Sequence, residues 1–140
     1  MVKSSPVWAC LIALGVASCD AESAHPALSG TWTPVSTNDC GPGGETVRFT
    51  GRRILYSVNG NRLKIGDILG VEQTAEGLEL RYTARSRETP ADIEVLPERL
   101  LFEMERPDRI KAVSTALDGE AFEAIEDGEV RRVLDLKRCA

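Results

Sequence analysis

Apolar and polar residues alternate along most of this chain. In the run Leu78–Arg85 the alternation is strict, and one face carries Leu78, Leu80, Tyr82 and Ala84. A period of two is typical of a β-strand that buries one face and exposes the other to water. Shorter runs with the same pattern are Val47/Phe49, Ile54/Tyr56/Val58, Ile93/Val95, Leu100/Phe102/Met104 and Leu134/Leu136. The pattern predicts an all-β fold.

Turn-forming residues separate these runs. Asn59-Gly60 predicts a type I′ hairpin between strands at Ile54–Val58 and Arg62–Ile65, because both central positions of that turn need a positive φ. Further breaks are expected at Glu76-Gly77, Leu96-Pro97-Glu98, Arg106-Pro107-Asp108, Asp118-Gly119 and Asp127-Gly128. No segment beyond the N-terminal region predicts a long amphipathic helix. Glu120–Ile125 is either one helical turn or a short strand.

The number of strands bears on the architecture. Short strands at intervals of about ten residues indicate an antiparallel meander of about eight to ten strands. An open sheet of that size leaves unpaired backbone groups at its edges, and closure into a barrel removes them. We therefore predict one domain over residues 29–140, a small antiparallel up-and-down β-barrel, with a β-sandwich as the alternative. Because aromatic residues are few, a narrow barrel filled by Leu, Ile and Val is favoured over a wide cup.

The N-terminus has a different pattern. Lys3 precedes the apolar run Val7–Ala17. As a helix this run would rise about 16 Å, roughly half of the hydrocarbon core of a bilayer, so it is too short for a stable membrane span. Residues 1–18 are instead typical of a secretory signal peptide, with the small residues Ala17 and Ser18 at the cleavage site.

The apolar run ends in Val16-Ala17-Ser18-Cys19, which resembles the lipobox of bacterial lipoproteins. The resemblance implies cleavage before Cys19, a diacylglyceryl thioether on its thiol, and further acylation, for example by palmitate. Asp20 resembles an inner-membrane retention signal. The implied location is therefore the cell envelope, anchored by lipid to the inner membrane and facing the periplasm, with the outer membrane as the alternative. An ordinary secretory cleavage also fits the small residues.

Charge bears on the possible partners. Once residues 1–18 are removed, 16 basic and 22 acidic side chains remain. An acidic chain is repelled by nucleic acid and by anionic lipid headgroups. We therefore expect no nucleic-acid partner, and membrane attachment through the acyl chains, two or more of which are needed for stable anchoring. Residues 19–28, which are small, polar and interrupted by Pro26, are predicted to be the lipidated cysteine and a flexible tether.

The segment Leu28-Ser29-Gly30-Thr31-Trp32 resembles the Gly-x-Trp motif that opens the first strand of lipocalins and related calycin barrels, which include small periplasmic protease inhibitors. The resemblance implies that Trp32 packs at one end of the barrel and that Gly30 lets the chain turn in beside it. A buried tryptophan at the start of an unrelated domain is the alternative interpretation.

Two cysteines remain after processing, Cys40 and Cys139. In an oxidising compartment we expect them to form a disulfide, which would close a loop of about 100 residues and contribute about 4.7 kcal/mol by chain entropy. In a barrel with an even number of strands the ends of the first and last strands lie at opposite rims. The pairing therefore predicts either an odd number of strands or a loop Thr37–Gly44 that folds back. Intermolecular pairing and free thiols are the alternatives.

Candidate catalytic chemistry is sparse. The single histidine, His25, lies in the predicted tether, which excludes nucleophile systems that need a histidine held in place. The acidic stretch 118–129 lacks the Asp/Asn alternation of a calcium loop, and Gly41-Pro42-Gly43-Gly44 has no following Lys-Ser/Thr for a phosphate cradle. We predict no enzyme, no catalytic residues, no metal site and no cofactor.

Two functions fit these expectations. In the first, the mouth of a membrane-tethered barrel binds a small apolar or amphipathic ligand; the modest side chains of Val47, Ile54, Val58, Leu80 and Ala84 leave room for one. In the second, the barrel is solid and acts through protein contacts, as a periplasmic protease inhibitor or as an accessory protein of envelope assembly.

Overall fold

In the computed structural model, which describes residues 25–140, the alternating segments form nine β-strands and one short helix. The strands are β1 (Gly30–Pro34), β2 (Thr46–Phe49), β3 (Arg53–Val58), β4 (Asn61–Thr74), β5 (Gly77–Thr83), β6 (Glu98–Arg106), β7 (Arg109–Leu117), β8 (Glu123–Ala124) and β9 (Asp135–Arg138). The helix α1 (Gly128–Val133) lies between β8 and β9. The predicted signal peptide 1–18, the predicted lipidation site Cys19 and Asp20 lie outside the described residues.

The strands close into a barrel. From β1 to β7 each strand pairs antiparallel with the next. Strand β9 then pairs with β1, where Trp32 lies opposite Arg138, and with β7, where Ile110 lies opposite Leu136. Eight strands thereby form a closed up-and-down barrel, and β8 is an extra strand beside the second half of β7. The predicted all-β barrel is confirmed, and the sandwich alternative is wrong.

One face of every long strand is buried inside the barrel. Leu78 and Leu80 of β5 lie opposite Phe102 and Leu100 of β6, and all four belong to a single hydrophobic core. The core extends along the chain from Leu28 to Leu136, so residues 20–140 contain the complete barrel. Burial of these aliphatic and aromatic side chains is the main term that stabilises the fold.

Turn chemistry accounts for the predicted hairpin. Asn59 and Gly60 have φ values of 53° and 82°, as a type I′ turn requires, and they join β3 to β4. Strand β4 continues well past the predicted segment Arg62–Ile65. Its first half pairs with β3 and its second half with β5, so one long strand serves two neighbours.

Two expectations are wrong. Ile93/Val95 forms no strand, because the segment 84–97 is a loop in which the Ile93 side chain is half exposed. The Asp127-Gly128 pair begins helix α1 and is not a hairpin turn: the Asp127 carboxylate accepts hydrogen bonds from the backbone N–H groups of Glu129 and Val130. Glu120–Ile125, left open from the sequence, contains the short strand β8.

Candidate functional site

One end of the barrel is filled. At this closed end, where β1 begins and β9 ends, Trp32 is fully buried and its indole N–H donates to the carbonyl of Leu28 at 2.8 Å. The guanidinium of Arg138 lies 4.3 Å from the centre of the Trp32 ring and donates to the carbonyls of Ala27 and Ser29. The structure therefore places Trp32 at a barrel end, and the chain before β1 is fastened across that end.

The two predicted disulfide partners meet near the closed end. The sulfur atoms of Cys40 and Cys139 lie at the bonding distance of 2.00 Å. The barrel has an even number of strands, so the loop Thr37–Gly44 has to fold back along the outer face of β1. It covers Thr33, an outward-facing residue that is nevertheless fully buried and whose hydroxyl donates to the carbonyl of Glu45.

Close backbone packing holds the folded-back loop. The backbone N–H of Asp39 donates to the Thr33 hydroxyl at 3.3 Å. A Cβ atom at Gly44 would lie 2.1 Å from the Asp39 carbonyl oxygen, so this position requires glycine. The glycine-rich segment 41–44, whose sequence does not fit a phosphate cradle, therefore packs the loop against itself.

The other end of the barrel contains a cavity. At this open end, where β1 ends and β9 begins, a space of about 420 Å³ enters the barrel. Its lining residues come from five strands, from the residue after β5 and from the end of α1, and they are Val47, Phe49, Ile54, Tyr56, Ile65, Leu80, Tyr82, Ala84, Leu100, Phe102, Val133 and Leu134. Four of the five residues that the sequence analysis expected to leave room line this cavity, and Val58 does not.

The cavity contacts polar groups through Tyr56. The Tyr56 hydroxyl donates to a carboxylate oxygen of Glu45 at 2.6 Å, and the other oxygen of Glu45 lies 3.5 Å from Arg132. Glu45 is largely buried and keeps only 9% of its full exposure. Burial, the hydrogen bond to Glu45 and the negative charge of Glu45 together raise the pKa of Tyr56 to about 12. The hydroxyl is therefore protonated at neutral pH.

A second tyrosine repeats this arrangement. Tyr82 of β5 lies directly opposite Glu98 of β6, and its hydroxyl donates to the Glu98 carboxylate at 3.3 Å. Burial, the charge of Glu98 and this hydrogen bond raise the pKa of Tyr82 to about 12. Both tyrosines of the chain thus border the cavity as neutral side chains tied to carboxylates.

Helix α1 forms part of the mouth. Val133, its last residue, and Leu134 line the cavity. Arg132 donates to Ser36 at 2.9 Å and to Glu129 at 2.8 Å, and it faces Glu45. The helix is therefore attached to the barrel wall by the same carboxylate that accepts the Tyr56 hydroxyl.

The residues considered for other chemistry do not assemble into a site. The imidazole of His25 accepts a hydrogen bond from the backbone N–H of Ala27 at the closed end, and His25 does not line the cavity. Within the acidic stretch, Asp118 forms a bidentate pair with Arg81, and Glu129 pairs with Arg132. Over residues 25–140, no three His, Cys, Asp or Glu side chains gather as a possible metal site. The same residues contain no helix that is both long and apolar enough to cross a bilayer.

Comparisons add no identity: no protein-family model, no curated protein and no solved structure matches this chain. The site therefore has to be interpreted from its own geometry. The alternating pattern of the sequence predicts much of the apolar lining, but it does not mark Glu45, Glu98 or Arg138. The polar residue Glu98 lies at an inward position of an apolar alternation, Glu98/Leu100/Phe102, and that break in the pattern was the available signal. Arg138 meets Trp32 only because the barrel closes, so no local pattern marks it.

Proposed function

We propose that this chain is a lipid-anchored protein of the bacterial envelope whose barrel, related in design to the lipocalins, binds a small apolar or amphipathic ligand without catalysis. The observation that carries the proposal is the apolar cavity of about 420 Å³ at the open end. Sites for small molecules are typically concave, mostly apolar and about 300–1,000 Å³ in volume. The Gly30-x-Trp32 segment at the closed end supports the lipocalin part of the proposal.

The position of the cavity suits a tethered protein. Residues 25–29 join the barrel at the closed end, where Arg138 holds them, and the cavity opens at the opposite end. A lipid on Cys19 would therefore pull on the closed end and leave the mouth free. The ligand would enter past α1 and the loop 84–97.

Binding is tested with the chain 20–140, exported and oxidised, and an uncharged fluorescent probe such as phenylnaphthylamine. The variant Ala84→Trp places an indole at an exposed position of the mouth, and we expect on the order of tenfold weaker probe binding because the entrance is blocked. The matched control is Ala75→Trp, in the β4–β5 turn at the closed end, which should bind like the parent chain. Equal binding by all three chains, or none by the parent, would contradict the proposal.

Anchoring is tested in cells with the full chain. Cys19→Ala should abolish lipidation and retain the precursor mass, because the thiol is the acceptor of the diacylglyceryl group and cleavage before residue 19 follows lipidation. Cys10→Ala, within the proposed signal segment, is the matched control and should be processed normally. An unchanged mature mass for Cys19→Ala would contradict the lipoprotein assignment.

A second candidate, action through protein contacts, is favoured by exposed apolar side chains around the mouth. Leu63, Ile93 and Leu96 are each at least half exposed. If the protein acts as a periplasmic inhibitor or assembly factor, cross-linking from this rim in intact cells should capture one defined protein, and Leu96→Glu should abolish the cross-link. A cross-linking pattern that Leu96→Glu leaves unchanged would exclude this rim as the contact.

A further inference from the structure

The side chains that line the cavity carry few polar groups, and all of these are tyrosine hydroxyls. Of its twelve lining residues ten are apolar and two are tyrosines, and none is charged. The hydroxyls of Tyr56 and Tyr82 are therefore the polar side-chain atoms that the lining itself offers to a ligand. In an apolar site, such groups fix the orientation of the ligand and decide which headgroup it carries.

Each of the two tyrosine hydroxyls already donates its hydrogen to a glutamate. Tyr56 donates to Glu45 at 2.6 Å and Tyr82 donates to Glu98 at 3.3 Å. A phenolic hydroxyl has one hydrogen to donate and lone pairs that accept. What each tyrosine has left for a ligand is an acceptor. Because the pKa of each is raised to about 12, neither becomes an anion at neutral pH.

The charged residues next to the two tyrosines also favour a ligand that donates a hydrogen bond. Glu45 and Glu98 place two carboxylates immediately behind the hydroxyls. Two cations near the mouth are held by other groups: Arg132 binds Glu129, Ser36 and Glu45, and Arg85 donates to the carbonyls of Pro90 and Ile93. Arg62 and Arg87 line a separate groove that shares Ile65 with the cavity, and neither is among the cavity-lining residues. A ligand carboxylate would meet acceptors and negative charge, because the only side-chain donors among the lining residues, the two tyrosine hydroxyls, already donate to glutamates and do not compensate its loss of water.

We propose that the cavity selects amphiphiles that end in a hydrogen-bond donor, an alcohol or a protonated amine, and rejects carboxylates with the same apolar chain. This inference rests on the proposed ligand-binding function and names the class of ligand. The apolar chain lies among the aliphatic and aromatic lining, and the donor points to Tyr56, whose hydrogen bond to Glu45 is the shorter one, with Tyr82 as the second acceptor.

The test compares three ligands of equal chain length on the oxidised chain 20–140: octanol, octylamine and octanoate, each displacing phenylnaphthylamine at neutral pH. We expect octanol and octylamine to bind on the order of tenfold more tightly than octanoate, since the carboxylate leaves both its own oxygens and the tyrosine acceptors unsatisfied. Tighter binding of octylamine than of octanol would indicate that the two glutamates attract the cation directly.

Tyrosine variants test whether the hydroxyls cause the selection. Tyr56→Phe keeps the ring that lines the cavity and removes the acceptor, so the advantage of octanol over octanoate, each measured against the probe affinity of that variant, should fall below about threefold. Tyr82→Phe is the second variant and should show the same trend more weakly; it carries the test if loss of the Tyr56–Glu45 bond prevents folding. A tyrosine with a purely structural role would leave the headgroup preference unchanged.

The outcomes are distinguishable. If the probe binds and octanoate competes as well as octanol, the headgroup inference is overturned and the proposed binding function stands. If the preference exists but survives both Phe variants, the inference is overturned as well, because another group makes the selection. If neither the probe nor any of the three ligands binds, the binding function itself fails, and the inference fails with it.

Discussion

The two ends of the barrel use the same kinds of residue for opposite purposes. At the closed end an aromatic ring, Trp32, fills the space, and its N–H donates to the backbone carbonyl of Leu28. At the open end two aromatic rings, Tyr56 and Tyr82, border an unfilled space, and their hydroxyls donate to carboxylates. An arginine accompanies each arrangement, Arg138 at the closed end and Arg132 at the open end.

This difference separates residues that stabilise the fold from residues of the proposed binding site. A fully buried ring contributes through packing, and its removal leaves a cavity that the surroundings cannot refill. A ring at the edge of an existing cavity has packed against less, so its loss removes less dispersion energy. The closed end should therefore carry most of the stability, and the open end most of the selectivity for ligands.

The largest expected effect is that of Trp32→Ala. Removing this fully buried side chain should lower the free energy of unfolding by about 3–5 kcal/mol, measured by urea titration of the chain 20–140. The change at the open end, Val133→Ala, should cost about 1 kcal/mol or less, because it removes a smaller side chain and that side chain borders the cavity. Equal costs for the two variants would break the comparison between the ends.

The next effect concerns the disulfide. Replacing both Cys40 and Cys139 by Ser should lower the free energy of unfolding by about 2–5 kcal/mol, because the unfolded chain regains the freedom of a loop spanning 99 positions. Binding of phenylnaphthylamine to the remaining folded fraction should be unchanged, since neither cysteine lines the cavity. Two free thiols in the denatured, unreduced parent chain would show that the bond does not form.

The two arginines give a sharper, smaller contrast. Arg138→Met should destabilise the barrel by about 1–3 kcal/mol, because it removes the stacking on Trp32 and leaves the carbonyls of Ala27 and Ser29 without their donor. Arg132→Met removes partly exposed ion pairs, which solvent screens, and should cost less stability than Arg138→Met. Thermal or urea unfolding of both variants checks the order, and a larger loss for Arg132→Met would reverse the assigned roles.

Much of the barrel is predictable because its signals are local. The Leu78–Arg85 alternation predicts β5, and Asn59-Gly60 predicts the hairpin between β3 and β4, since neither signal depends on distant residues. Ile93/Val95 has the same local alternation, yet it lies in a loop; alternation over so few residues does not outweigh tertiary context. Helix α1 was missed because it has only six residues, and its Asp127 cap also fits a turn.

The candidate site is only half predictable. Its apolar wall follows from the inward face of the strands, so Val47, Ile54 and Leu80 were identified in advance. The polar contacts Tyr56–Glu45 and Tyr82–Glu98 join residues 11 and 16 positions apart on different segments, and they depend on strand register. Register depends on the turn or loop that joins two strands and on the burial of their whole faces, so a single short run does not determine it.

The last effect, which appears only at alkaline pH, again distinguishes the ends. Trp32 does not titrate, whereas both tyrosines lie at the open end with pKa values raised to about 12 from an ordinary value of about 10. A raised pKa means that the folded chain binds more protons than the unfolded chain between these values. The stability that the tyrosines contribute is therefore complete below about pH 10 and is lost as pH rises towards 12.

Ultraviolet titration of phenolate absorbance checks this directly. The folded chain should ionise near pH 12 and the chain unfolded in urea near pH 10. Glu98→Gln should lower the pKa of Tyr82 but not return it to 10, because burial is the largest cause of the shift and the charge of Glu98 the next. Glu79→Gln, on the outer face of β5, is the control and should leave both tyrosines unchanged. Ionisation of the folded chain at pH 10 would mean that the tyrosines lie in water, and the hydrogen bonds of Tyr56 to Glu45 and of Tyr82 to Glu98 would then be wrong.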